Sequence, residues 1–251
     1  MENNPIQGFW DGGPLTTMEK LSICSFLANG HQFHLYSYHE VEGVPAGAEL
    51  KDASLILPQS EMNRFKDVYA YGDWFRIWML NSIGGWWSDL DNICLKPFDM
   101  PEEHVGMCNP LKCPPGSPVL AWVFDECKKL DFKKMHGEAL GPQMWINALK
   151  QFPEYKLDKY MPFFHIPGDA THIVSARPPD VSRHYSVHIH HQSWRTNKQD
   201  VDGVFPYNCL YEVFKRRYLT GQEGIAFAIP THDEPKIYLG PPPANKWKVR
   251  S

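Results

Sequence analysis

The opening forty residues constrain the fold more than any other stretch. Residues 6–10, Ile-Gln-Gly-Phe-Trp, are a short apolar run of strand length, and Asp11-Gly12-Gly13-Pro14 breaks it. Thr16 or Thr17 is placed to cap a following helix, with Glu19 or Lys20 in its first turn. Leu21, Cys24, Phe26, Leu27 and Ala28 give that helix its apolar face, and Asn29-Gly30 ends it. Residues 34–38 then alternate as a second strand. Strand, helix, strand in this order predicts a parallel sheet of the α/β class.

The pattern continues less evenly. Residues 45–51 read as a loop, 54–57 as a short strand stopped by Pro58, and 71–82 as a strongly apolar helix ended by Gly84-Gly85. A helix carrying Trp74, Phe75, Ile77, Trp78, Met79 and Leu80 is buried on most sides. Residues 86–95 read as strand and turn, 119–129 and 143–152 as helices, 185–190 as a strand, and 208–219 as an amphipathic helix. Beyond Gly221 the chain turns Pro-rich. The expected organisation is one domain over 1–220 and a C-terminal extension over 221–251.

Composition excludes some functions. The formal net charge of the 251 residues is −4, and the basic residues are scattered apart from Lys215, Arg216 and Arg217. Such a chain lacks the positive field of a nucleic-acid binder. The six cysteines include no C-x-x-C pair, which favours reduced thiols and a cytoplasmic setting. No basic segment followed by an apolar run opens the chain, and no stretch approaches the roughly 20 apolar residues of a membrane span. The expectation is a soluble protein, attached at most peripherally to the inner face of a membrane.

The chemistry concentrates in Gly72-Asp73-Trp74-Phe75-Arg76 and Gly84-Gly85-Trp86-Trp87-Ser88-Asp89-Leu90-Asp91. On a strand, Asp89 and Asp91 would point to one side, roughly 6–7 Å apart at the backbone. Two carboxylates that close repel unless positive charge sits beside them, and a hard divalent cation supplies it. The plainer reading is two solvated acids in a turn. Asp73 and Arg76 share a helix face. They form either a local ion pair or a site where Asp73 accepts from sugar hydroxyls and Arg76 binds a hydroxyl or phosphate oxygen. His184, His188, His190 and His191 could supply zinc ligands, but no partner motif accompanies them.

Residues 71–97 resemble the DXD-containing sugar-binding region of bacterial and fungal glycosyltransferases. These include the family of the yeast initiating α-1,6-mannosyltransferase, the capsular polysaccharide transferases and, more distantly, the glucosyltransferase domain of clostridial toxins. The shared pattern S-D-x-x-R, G-G-x-Y-x-D-x-D, apolar-K-P reads here as G-D-W-F-R, G-G-W-W-S-D-L-D and C-L-K-P. Ile6-Gln7-Gly8-Phe9-Trp10 resembles the family's first strand, Gly141-Pro142 its later G-P element, and the segment from His188 to Arg195 its closing H-L-W-x-x-x-W. Gly72, Trp87 and His190 depart from the pattern.

The resemblance implies a nucleotide-diphospho-sugar transferase fold of the Rossmann-like GT-A type with a mixed central sheet. It implies Mn²⁺ or Mg²⁺ as cofactor, with Asp89, Asp91 and His188 at the metal and His190 as the alternative to His188. The implied donor is a UDP- or GDP-sugar held by Phe9, Trp10, Gly12, Asp73, Arg76, Gly85, Asp89, Leu90 and Trp194. Trp10 would stack on the base, and Asp73, Arg76, Asp89 and Asp91 form the implied catalytic set. The implied acceptor is a glycan or glycolipid, with retention of configuration, as in capsule, lipopolysaccharide or other surface-polysaccharide synthesis. His136, Glu138 and Gln143 are acceptor-side candidates; no nucleophile or base stands out. The alternatives are a toxin-like transferase acting on a protein, and a nucleotide-sugar-binding module without turnover.

Overall fold

The computed structural model describes residues 5–135, 139–166 and 172–229. His136, Glu138 and residues 230–251 of the Pro-rich extension lie outside them. The opening unit is β1 (Ile6–Phe9), α1 (Thr17–Ala28) and β2 (Phe33–Ser37). Thr16 caps α1 in a full capping box. Its backbone N–H donates to Glu19 Oε2 at 2.8 Å, and its hydroxyl accepts from Met18 N at 3.3 Å.

The next strand differs from expectation. Residues 45–51, read as a loop, contain most of β3 (Ala48–Asp52), and 54–57, read as a strand, begin in a single 3₁₀ turn, Ala53–Leu55. β3 is an edge strand with a largely uncovered side, so it tolerates Glu49, Lys51 and Asp52, the charges that disguise it. Asp52 Oδ1 then accepts from Ser54 N at 2.8 Å and turns the chain out of the sheet.

α2 (Val68–Ile83) starts three residues earlier than the apolar run suggests, because Asp67 Oδ1 caps it by accepting from Ala70 N at 2.9 Å. Gly84 ends it and Gly85 opens β4 (Gly85–Trp87). β5 (Asn92–Cys94), β6 (Leu111–Cys113), α3 (Pro118–Cys127), α4 (Pro142–Gln151), β7 (Ser186–His188), α5 (His191–Thr196) and α6 (Leu210–Tyr218) follow. All six cysteines are free. No helix among the described residues is long and apolar enough to cross a membrane.

The main sheet has five strands in the order β3-β2-β1-β4-β6, and only the β4–β6 pairing is antiparallel. It is therefore a mostly parallel α/β sheet, as the opening residues predict, and the antiparallel β6 makes it mixed, as the resemblance implies. The chain builds outward from β1 through β2 to β3, then returns to place β4 on the other side of β1. Strand order reverses there, and ligands of open α/β sheets bind outside the carboxyl ends of strands at such a point. A second sheet pairs β5 with β7 antiparallel, Asn92 opposite His188. Apolar clusters fill both faces: α2, α3 and α4 pack through Trp74, Phe75, Leu120 and Trp145, and α1, α5, α6 and the small sheet through Leu21, Ile93, Trp194 and Phe214.

Gly84 is a tight joint between α2 and β4. Its φ is +67°, and a Cβ there would meet Pro115 Cδ at 2.5 Å and Cys113 O at 3.1 Å. Gly84→Ala is expected to cost about 1–3 kcal/mol through strain and displacement of the turn. Thermal denaturation reads this directly; an unchanged melting temperature would mean that the turn relaxes freely.

Candidate active site

The carboxyl ends of β1 and β4 open into a cleft of about 370 Å³. Phe9, Trp10 and Gly12 enter it from β1, and Asp89, Leu90 and Asp91 from the segment after β4. Asp73 reaches it from the first turns of α2, Glu19 from α1, and His191 and Gln192 from α5. Phe9 stacks on Phe75 with centroids 4.6 Å apart, which fixes the rear wall. The half-buried Trp10 indole donates to Gly13 O at 2.8 Å, and the loop curls so tightly beneath it that a Cβ on Gly12 would lie 2.6 Å from the ring.

Asp89 and Asp91 do not sit on one strand. β4 ends at Trp87 and β5 begins at Asn92, so the two acids occupy the crossover between the sheets. Pairwise contacts, not strand alternation, bring them together. Trp87 Nε1 donates to Asp89 Oδ1 at 2.6 Å, and Asp89 N–H donates to Asn109 Oδ1 at 3.0 Å. Asp91 Oδ2 accepts from His191 N–H at 2.9 Å and from His188 Nε2 at 3.1 Å. Ligating atoms of Asp89, Asp91 and His188 all lie within 4.8 Å of one another. Asp91 Oδ1 is buried without a hydrogen-bond donor. A buried carboxylate oxygen left in that state suits a hard cation, so this group fits a divalent metal.

Arg76 lies behind the acids with its side chain wholly buried. It donates to Asp73 Oδ1 at 2.6 Å and stands 3.7 Å from Asp89 Oδ1. The Asp73–Arg76 ion pair weighed on sequence grounds is present, and it extends to the first acid of the D-x-D. Arg76 does not line the cleft; it holds the two carboxylates that do.

The electrostatics of the acids diverge. Burial, chiefly, and the charge of Asp89 push Asp73 up to about 6 against the pull of Arg76. Burial and the repulsion of Asp91 likewise raise Asp89 against Arg76. Burial would raise Asp91 too, but His188 and the His191 N–H outweigh it and hold Asp91 well below the usual carboxylate range. His188 is raised in return, since Asp91 overcomes the burial that would lower it. Burial takes the neighbouring His165 imidazole down to about 4.

Besides Arg76, two residues in the implied donor set stand outside the cleft. Trp194 is fully buried, packed on Tyr211 and Phe205 with centroids 4.6 and 5.3 Å away. Gly85 pairs with Cys113 at the start of β4 and borders a different groove with Gln7 and His34. Both match sequence patterns, but the first anchors a core and the second a strand. Gln143 is also absent from the cleft lining.

The cleft includes residues that the motif did not mark. Glu19 is one, legible only as a capping residue; its Oε1 lies 3.8 Å from His191 Nδ1. Val68 and Tyr69 are others, brought in by the added first turn of α2, and Arg195 sits 4.9 Å over the Tyr69 ring. Asn109, which ties down Asp89, had no signal in the sequence.

No protein-family model and no curated protein sequence matches the chain. Among solved structures, the chain is similar to one titled "PaToxG Glycosyltransferase". The sequence identity is 17% and the TM-score 0.46, over 59% of this chain and 68% of that one.

Proposed function

We propose that the chain is a metal-dependent glycosyltransferase that takes a sugar from a UDP- or GDP-sugar. One observation carries this reading: Asp89, Asp91 and His188 converge at the carboxyl end of β4, beside an aromatic cleft, with one oxygen of Asp91 buried and undonated. Those three residues would hold Mn²⁺ or Mg²⁺, which when bound supplies positive charge to a departing diphosphate.

The chain's own groups do the rest. Trp10, half-buried at the end of β1, offers a face to the base. Asp73 accepts from donor-sugar hydroxyls and orients the ring for attack. Arg76 positions Asp73 and Asp89 from behind, and its charge opposes the burial that raises both carboxyls. With no protein nucleophile assigned, the acceptor hydroxyl passes its proton to the leaving phosphate, which accords with retention of configuration. The acceptor is a glycan or glycolipid meeting the donor at the rim formed by Val68, Tyr69 and Gln192.

Calorimetric titration with UDP and GDP, each with and without Mn²⁺, tests the reading and names the donor class. One of the two nucleotides should bind, with the metal strengthening it; failure of both in the presence of metal would overturn the proposal.

A pH effect follows from Asp73. Because its carboxyl is raised to about 6, the ionised acceptor forms only as pH rises through that value. kcat/KM for the donor should fall with a slope of about one below pH 6, as one proton is taken up. The limb should vanish in Asp73→Asn, measured on the activity that remains. A limb that persists unchanged in that variant would assign it to another group.

A further inference from the structure

Beside the carboxylate site lies a second cluster of different chemistry. Ring nitrogens of His165, His188 and His190 all lie within 4.8 Å of one another. The His188 and His190 rings are 4.0 Å apart, with His165 at 5.4 and 6.1 Å from them. We propose that these three imidazoles form a second binding site, sharing His188 with the carboxylate group, for a borderline-soft divalent cation of the zinc type.

Two unpaired lone-pair positions support it. His188 gives Nε2 to Asp91, which leaves its buried Nδ1 without a partner. His165 hydrogen-bonds to the Asn109 backbone through one nitrogen, and its buried Nε2 has no partner. A ligating histidine usually donates its second N–H to a carboxylate or a backbone carbonyl, which fixes the tautomer that presents the other nitrogen. Asp91 serves His188 in that way and the Asn109 backbone serves His165. His190 is held at φ +56°, in the left-handed region that few non-glycine residues adopt, at the step from β7 into α5. That conformation places its ring over His188.

The donor set decides the metal. Three imidazoles favour zinc and its neighbours over magnesium or manganese, which take oxygen ligands. Three protein ligands also leave a fourth tetrahedral position for water. His184 and His191, grouped with His188 and His190 by sequence alone, are directed elsewhere: His184 Nε2 to His165 O at 3.3 Å, His191 towards Glu19. The missing partner is His165, supplied from a distant segment.

The test is zinc titration in excess Mg²⁺, with the metal alone as probe. The unaltered protein should bind one Zn²⁺ per chain. His165→Ala should weaken that binding at least about tenfold, since even outer-shell losses reach that size. Asp89→Asn should weaken it by less than about tenfold. Zinc affinity unchanged in His165→Ala, or lost in Asp89→Asn alone, would put the ion on the carboxylates and overturn the proposal. Ring-nitrogen NMR of the unaltered protein gives an answer independent of variant folding. One equivalent of Zn²⁺ should shift His165 Nε2 and His188 Nδ1, and unmoved resonances would reject the site. Neither readout uses nucleotide or turnover, so the outcome stands apart from the transferase reading.

Discussion

Replacing Asp91 with alanine is expected to lower metal-dependent turnover of the donor at least about 100-fold, some 3 kcal/mol of barrier. Asp91 contributes the buried, undonated Oδ1 and anchors both His188 and the α5 N-terminus through Oδ2. Its loss therefore removes a metal ligand and the contacts that orient another. Alanine also deletes the acceptor of the His191 N–H, so some loss of stability is expected with it. Asp91→Asn separates the two effects: an amide oxygen can still accept from His191, but the charge is gone. That variant should stay folded, as judged by its melting temperature, and still lose most of its turnover. The assay is donor-sugar hydrolysis with and without Mn²⁺. Wild-type turnover in a folded Asp91→Asn protein would remove this carboxylate from the mechanism.

Arg76→Met should destabilise the metal-free protein by about 3 kcal/mol, the low end of the cost of breaking a buried ion pair. For a chain of this size that amounts to a melting temperature lower by roughly 6–12 °C. Met preserves much of the aliphatic volume, so the loss reports charge rather than a cavity. The low end applies because the Asp89 side chain keeps 38% of its surface in solvent. Without Arg76, Asp73 loses the cation that opposes its burial, and its carboxyl should rise above its present value of about 6. The destabilisation should thus be largest at neutral pH and shrink as pH falls and Asp73 protonates. Adding Asp73→Asn to Arg76→Met should recover at least about 1 kcal/mol through coupling between the two sites. Urea denaturation at pH 5 and pH 7.5 measures each quantity. Equal stability of Arg76→Met and wild type at both pH values would show that the network contributes nothing.

Several elements were legible because their causes are local. The capping box of Thr16 and Glu19 acts within one turn of helix, and the apolar run of α2 declares its own burial. β3 was hidden for an equally local reason, since an edge strand carries the charges that a loop would. Asp89 and Asp91 were expected to approach through strand alternation. They meet instead on a crossover, held by Trp87, Asn109, His188 and His191. Trp194 matches a pattern but fills a core, because a motif specifies a residue type and not the surface it meets.

Sequence alone determined the α/β class, the approximate positions of α1, α2, α3, α4 and α6, and the stretch in which Asp73, Arg76, Asp89 and Asp91 lie. Caps, turn residues and hydrophobic periods act over a few residues, so they can be read in order along the chain. Only the tertiary structure decided that β5 leaves the main sheet to pair with β7, and that step carries His188 to Asp91 and sets His165 beside both. Contacts between distant segments depend on which faces bury together, and no local spacing records that choice.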